Sequence, residues 1–168
     1  MKKIAFLFIS VVIVGIITYL SYHIYNKIQQ KKVVEKNTVI VPIFSFYTLH
    51  NINFNNNNIP NNNDKLIFNF FSPTCEHCQY MATQYLYHKE QLKGITILMI
   101  TIADSAATAK FYIDYRLNKM PNAIVLRDTK FQFFKTFGTE TVPSFFIYNH
   151  FKLVKKIIGE TKIENLIN

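Results

Sequence analysis

Leu66-Ile67-Phe68-Asn69-Phe70-Phe71-Ser72-Pro73-Thr74-Cys75-Glu76-His77-Cys78 is the stretch that decides the fold. It opens on an apolar run that reads as a buried β-strand. It closes on the only two cysteines of the chain, with two residues between them. The segment after the first cysteine reads as a helix: Cys78, Met81, Ala82, Tyr85, Lys89 and Leu92 recur at helical spacing from Glu76 to about Leu92, and Gly94 ends it. A cysteine at the first turn of a helix faces unpaired backbone N–H groups and the positive end of the helix dipole. Both stabilise a thiolate and make it a nucleophile near neutral pH. The second cysteine, one turn on, is placed to attack a mixed disulfide formed by the first. The pattern points to dithiol–disulfide exchange, with Cys75 attacking and Cys78 resolving.

Outward from this stretch, strand and helix patterns alternate. Val41-Pro42-Ile43-Phe44-Ser45-Phe46-Tyr47-Thr48-Leu49 has strand-like alternation, and the asparagine-dense segment from Asn51 to Asn63 reads as loop. Ile95 to Ile102 is apolar, β-branched and short, which predicts a buried strand. Asp104 or Ser105 caps a helix that runs to about Asn118 and is broken by Pro121. Ala123-Ile124-Val125-Leu126 reads as a short strand, and Phe131 to Phe137 as a short helix ending at Gly138. Ser144–Tyr148 and Lys152–Ile157 are strands joined by the hairpin turn Asn149-His150-Phe151, and Thr161 caps a terminal helix. The sum is an α/β domain with a mixed sheet. About 130 residues bury a core without covalent staples, so the cysteines are not needed as a clamp.

The other features lie at the N-terminus. Lys2 and Lys3 precede an uncharged run from Ile4 to Leu20 that continues through Ser21-Tyr22-His23-Ile24-Tyr25. A span needs roughly 20 apolar residues, and tyrosines suit the membrane interface. A cleaved signal peptide ends in small residues of the A-x-A kind, and this run ends instead in bulky Tyr22, His23, Ile24 and Tyr25. The expected organisation is a membrane anchor over residues 1–25, a juxtamembrane linker over 26–38 and a folded domain over 39–168, with the lipid bilayer as one partner. Lys27, Lys31, Lys32 and Lys36 oppose Lys2 and Lys3 in the charge rule for orientation; the domain is expected outside the cytoplasm. The formal charge is +9, of which residues 1–36 carry +5 from six lysines and one glutamate. Lysines there meet anionic head groups. The folded part has no basic stripe with interleaved aromatics, so nucleic acid is excluded as a partner.

The order strand, Cys-x-x-Cys, helix, strand, helix, then Val142-Pro143 opening a hairpin resembles the thioredoxin fold. Within that superfamily it is most similar to the membrane-anchored TlpA/ResA-like thiol-disulfide oxidoreductases. Their strand ending Asn-Phe-Trp, three residues before Cys-x-x-Cys, is matched by Asn69-Phe70-Phe71-Ser72-Pro73-Thr74-Cys75, and their opening Pro-x-Phe strand by Pro42-Ile43-Phe44. The resemblance covers about residues 40–168. It implies a thioredoxin-like mixed sheet flanked by helices, preceded by a transmembrane helix. It also implies a cis peptide bond before Pro143, a Val142 backbone that pairs with an extended client segment, and no cofactor. The partners implied are client proteins with thiols or disulfides and a membrane-embedded redox partner, in a periplasmic or other extracytoplasmic setting, with the reductase direction slightly favoured. This chain departs from the pattern at three places: Thr74 replaces the aromatic before the first cysteine, Met81 replaces a glutamate, and Phe151 replaces the hairpin glycine. Asn69 stands where thioredoxins proper carry a buried acid, as it does in the TlpA-like branch.

Glu76 and His77, between the cysteines, are the expected tuners of the thiol. A cationic imidazole stabilises the thiolate and a carboxylate does the reverse. His23, His50, His88 and His150 are scattered and read as surface residues. Zinc needs more ligands than one cysteine pair, and haem attachment needs histidine where Gln79 stands. Two other readings stay open: a copper(I)-delivery module, since soft thiolates select soft metals, and a redox-inactive docking domain using the asparagine-rich loop.

Overall fold

The computed structural model describes residues 2–60 and 65–168, with the side chains of residues 2–11 and of Gln30 outside that description. Two compact units are present, Met1–Lys36 and Asn37–Asn168. The first is helical: α1 runs Lys2–Thr38, with Lys36 in its last turn, where the dipole favours a cation. Its described apolar side chains, from Val12 to Ile28, are exposed. Among the described residues no helix is long and apolar enough to cross a membrane. The anchor predicted over residues 1–25 draws on Met1 and on the side chains of residues 2–11, which lie outside the described residues.

The second unit is built on one seven-stranded sheet. Its strands are β1 (Ser45–Thr48), β2 (Asn53–Asn55), β3 (Lys65–Phe70), β4 (Ile95–Thr101), β5 (Ala123–Arg127), β6 (Ser144–Asn149) and β7 (Lys152–Ile158), in the order β2-β1-β5-β4-β3-β6-β7. β3, β4 and β5 are parallel, and the remaining pairings are antiparallel. The helices are α2 (Glu76–Tyr87), α3 (Ser105–Asp114), α4 (Gln132–Phe137) and α5 (Glu164–Ile167).

Alternation along β3 builds two cores. Ile67 and Phe71 face a cluster with Met81, Ala82 and Tyr85 of α2, Phe111 of α3 and Leu166 of α5. Leu66, Phe68 and Phe70 face the other way, onto Phe133 and Phe137 of α4 and onto Phe44, Phe54 and Ile59. A strand buried on both faces must be apolar at nearly every position, which is why β3 and β4 read as unbroken apolar runs. The second core is largely aromatic. Phe68 packs on Phe137 at 5.0 Å, Phe44 at 5.3 Å and Tyr148 at 5.6 Å, and Phe70 stacks on Phe133 at 4.4 Å. Such pairs add about 0.5–1.5 kcal/mol each beyond the area they bury.

Several boundaries differ from the sequence reading, each for a local reason. The first predicted strand divides at Pro42. Val41 N–H and Leu153 N–H bond with Phe151 O and Val39 O, so residues 39–41 lie along β7, and β1 begins only at Ser45. The asparagine segment, predicted as loop, contains β2, which pairs Phe54 with Phe46 and buries the Phe54 ring. Asn56 is part of the reason: its Oδ1 accepts from Phe44 N–H at 3.0 Å and its Nδ2 donates to Pro42 O at 2.9 Å. Residues 61–63 of that predicted loop lie outside the described residues. α2 ends at Tyr87, a turn before Leu92, and the chain turns through Gly94 at φ 77°. α3 starts as predicted, with Asp104 Oδ1 accepting from Ala107 N–H at 2.8 Å, but stops at Asp114 before Arg116 takes a left-handed conformation. Ile163, not Thr161, precedes the last helix; the Thr161 hydroxyl accepts from the Asn165 side chain instead. The β6–β7 hairpin turns on His150 and Phe151, both at positive φ (47° and 62°), the requirement of a two-residue turn between twisted strands.

Candidate active site

The site is assembled where β3 ends and α2 begins. Phe71 N–H still bonds to Ile100 O at 2.9 Å, after which Ser72–Thr74 turn the chain. Cys75 N–H closes the turn on Ser72 O at 3.2 Å, and the Gln79 side chain holds Pro73 O at 2.8 Å. Cys75 is then the N-cap of α2, with extended backbone (φ −85°, ψ 118°). Its sulfur accepts the Cys78 backbone N–H at 3.4 Å, one of the donors a helix start leaves unpaired. Its thiol also faces Val142 O at 3.8 Å.

The two thiols therefore differ in surroundings. Cys75 is half-buried and Cys78 is 1% exposed, and neither is in a disulfide. Burial pushes the Cys78 thiol well above its ordinary value, the hydrogen bond and charge of Cys75 add to this, and the Ser72 backbone opposes it. One cysteine is partly exposed and caps a helix; the other is buried one turn below.

Val142 and Pro143 come to the cysteines as the resemblance implied. Their peptide bond is cis. Pro143 is buried, its carbonyl accepts Gly159 N–H at 2.8 Å, and Val142 remains partly exposed beside Cys75. Glu76 and His77 are both exposed in the first turn of α2. His77 does not pair with its neighbour Glu76. Its Nδ1 lies 2.7 Å from Oε2 of Glu160, just past β7. No spacing rule in the sequence marks that partner, 83 residues away.

Beneath the cysteines lies a buried polar pair that sequence reasoning left unjoined. Tyr85 hydroxyl donates to Asn69 Oδ1 at 3.2 Å, and Asn69 Nδ2 donates to Phe70 O and Ser144 O at 3.3 and 3.4 Å. Burial pushes the Tyr85 phenol up, with the Cys78 charge adding, so it stays protonated. Its position, seven residues after Cys78 and so on the same helix face, was the available clue. Met81, in the place of the expected glutamate, is part of the apolar core. Among the described residues the one fully buried carboxylate, Asp128, serves a turn: it accepts from Phe133 N–H at 2.7 Å and Lys130 N–H at 3.2 Å. Of the other histidines, His88 caps the C-terminus of α2, His150 sits in the hairpin turn, and His23 packs its ring near Tyr19. Among the described residues no three His, Cys, Asp or Glu side chains are grouped to hold a metal ion.

Comparison with known proteins agrees with this fold. A thioredoxin-like domain family matches residues 52–168. No curated protein matches the sequence. Among solved structures, a secreted disulfide oxidoreductase of Mycobacterium tuberculosis is similar with a TM-score of 0.61 and 19% identity, over 74% of this chain and 91% of that one. StoA from Bacillus subtilis gives 0.55 and 21%, over 77% and 96%. A thioredoxin-like protein from Aeropyrum pernix gives 0.61 and 18%, over 83% and 94%. At these identities the likeness establishes the shared fold.

Proposed function

The chain belongs to the thioredoxin-like domain family, and on that premise we propose that it is a thiol-disulfide oxidoreductase acting on client proteins through Cys75 and Cys78. The observation that carries the reading is the asymmetry of the two thiols: Cys75 caps α2 and is accessible beside Val142, while Cys78 is sealed behind it. In the reductase direction, the Cys75 thiolate attacks a client disulfide and forms a mixed disulfide. The released client thiolate takes up a proton. Cys78 then loses its proton and attacks the Cys75 sulfur, releasing the second client thiol and leaving a Cys75–Cys78 disulfide. Two electrons have passed to the client, and a membrane-embedded dithiol partner must return them with two protons. Oxidation of clients is the same sequence reversed.

Val142 presents backbone to an extended client segment by strand addition. Glu76 and His77 tune the thiol. Residues 1–25 anchor the chain in a bilayer, residues 26–38 lead out of it, and the domain from residue 39 works in an extracytoplasmic compartment. The uncharged run of residues 4–20 and the lysines on either side of it support the anchor. The reductase direction rests on the resemblance to TlpA/ResA-like proteins. The test is Cys78→Ala expressed in cells: clients should accumulate as mixed disulfides through Cys75, visible on non-reducing gels and lost on reduction. No accumulation, with the protein folded and present, sinks the proposal.

A further inference from the structure

The contact that the exchange reaction leaves unused is that between His77 Nδ1 and Glu160 Oε2, an ion pair whenever the imidazole is protonated. One end stands between the two cysteines in the first turn of α2. The other comes directly after Gly159, whose N–H is bonded to Pro143 O at 2.8 Å. The pair thus links the helix of the nucleophile to the turn that presents Val142 to Cys75. Its side chains are 69% and 40% exposed, and exposed pairs contribute little to stability. Its location, rather than its strength, is what gives it a use.

We propose that Glu160 is a positioning residue of the thiol site: it holds the His77 imidazole by Nδ1 and balances its charge, so that Cys75 works beside a neutral couple instead of a lone cation. This deepens the oxidoreductase reading and rests on it. A lone imidazolium near Cys75 favours the thiolate, hence the dithiol, and makes the protein more oxidising. A lone carboxylate there does the reverse. Glu76 stands next to His77 in the same turn and has no hydrogen-bond or ion-pair partner among the described residues; it is common to wild type and to every variant, and cancels from their comparison.

The experiment uses the full chain in detergent micelles, equilibrated in glutathione buffers at about pH 6, where an ordinary imidazole is mostly protonated. Glu160→Gln is expected to raise the rate at which iodoacetamide alkylates Cys75 about threefold and His77→Asn to lower it about threefold, with the equilibrium moving toward the dithiol and the disulfide respectively. The double variant returns close to wild type, and Glu160→Asp stays there. Added salt at about 0.5 M shrinks both single shifts, which a purely structural effect would not do. The alkylation rate of Cys75 by iodoacetamide tracks the thiolate fraction, so it rises in Glu160→Gln and falls in His77→Asn. Single variants indistinguishable from wild type, or shifting the same way and indifferent to salt, overturn the role of Glu160 and leave the oxidoreductase reading standing. A wild-type protein without a reversible dithiol couple overturns both.

Discussion

Tyr85→Phe removes one oxygen from the buried patch behind the cysteines and nothing else. The phenol donates to Asn69 Oδ1 at 3.2 Å, and Asn69 is 1% exposed, so water does not replace the lost donor. The phenylalanine ring keeps the packing of Tyr85 against Ile67 and Met81 in the first core, so no cavity opens. The cost is a hydrogen bond plus an amide oxygen left buried and unpaired, about 1–3 kcal/mol. Asn69→Leu makes the opposite orphan, a buried hydroxyl, at similar cost. Removing both partners leaves neither side of this contact unpaired, and the loss of the Asn69 Nδ2 bonds to Phe70 O and Ser144 O is common to Asn69→Leu and the double variant. The double variant should therefore cost less than the sum of the singles by about 1 kcal/mol or more. Urea unfolding of the reduced protein, monitored by circular dichroism and by alkylation of the otherwise protected Cys78, measures all four corners of the cycle. The urea dependence should keep its slope while the midpoint falls. Because Asn69 and protonated Tyr85 are both neutral, the dithiol–disulfide equilibrium should move little. A Tyr85→Phe loss below about 0.5 kcal/mol, or strict additivity in the cycle, refutes the view that this hydrogen bond is a working part of the core.

Burial of the Cys78 thiol and the strained β6–β7 turn each carry a further prediction. Burial pushes the Cys78 thiol up, so as pH rises the unfolded chain releases this proton first. Stability of the reduced protein should hold below about pH 9 and fall above it by at most about 1.4 kcal/mol per pH unit for this group, with Tyr85 and Tyr148 joining above about pH 10. Thermal melts in reductant check this: Cys78→Ala should flatten the first part of the decline, and a wild-type profile flat to about pH 10 counts against it. In the β6–β7 turn, His150→Asn with Phe151→Gly supplies residues that accept positive φ, and should raise Tm by the equivalent of about 1 kcal/mol. A fall would mean that the packing of the Phe151 ring outweighs its backbone strain.

What could be read from the sequence is what depends on period and on neighbours close in the chain. β3 and β4 were legible because burial on both faces forces unbroken apolar runs, and the start of α2 was legible because a strand ending in Cys-x-x-Cys leaves the helix few places to begin. The start of α3 could be read from Asp104, whose cap is local. β2 could not: three residues among asparagines become a strand only because β1 lies beside them and Phe54 finds a core. Nor could the early ends of α2 and α3, where His88 and Arg116 stop the helix without glycine or proline. In the site, the cysteines and Val142-Pro143 were legible as motifs. The Asn69–Tyr85 and His77–Glu160 contacts were not, since each side chain is ordinary until the fold brings its partner from another element.

The same helix period that buries α2 also divides the labour of the two thiols. Cys75 precedes the first turn, where the helix has unpaired N–H groups to offer and its side chain still reaches solvent. Three residues later the period turns Cys78 inward, onto the stripe occupied by Met81, Ala82 and Tyr85. Its burial supplies part of the core and at the same time penalises its thiolate. A carboxylate in that stripe would offer the proton somewhere to go, but here Met81 and the neutral Asn69–Tyr85 pair line it instead. The neighbouring side chain that adds to that penalty is Cys75. Under the proposed exchange, loss of the Cys78 proton is therefore tied to the state of the other sulfur: it costs less once Cys75 is held in a mixed disulfide and has become the target of attack, while the larger penalty, burial, stays.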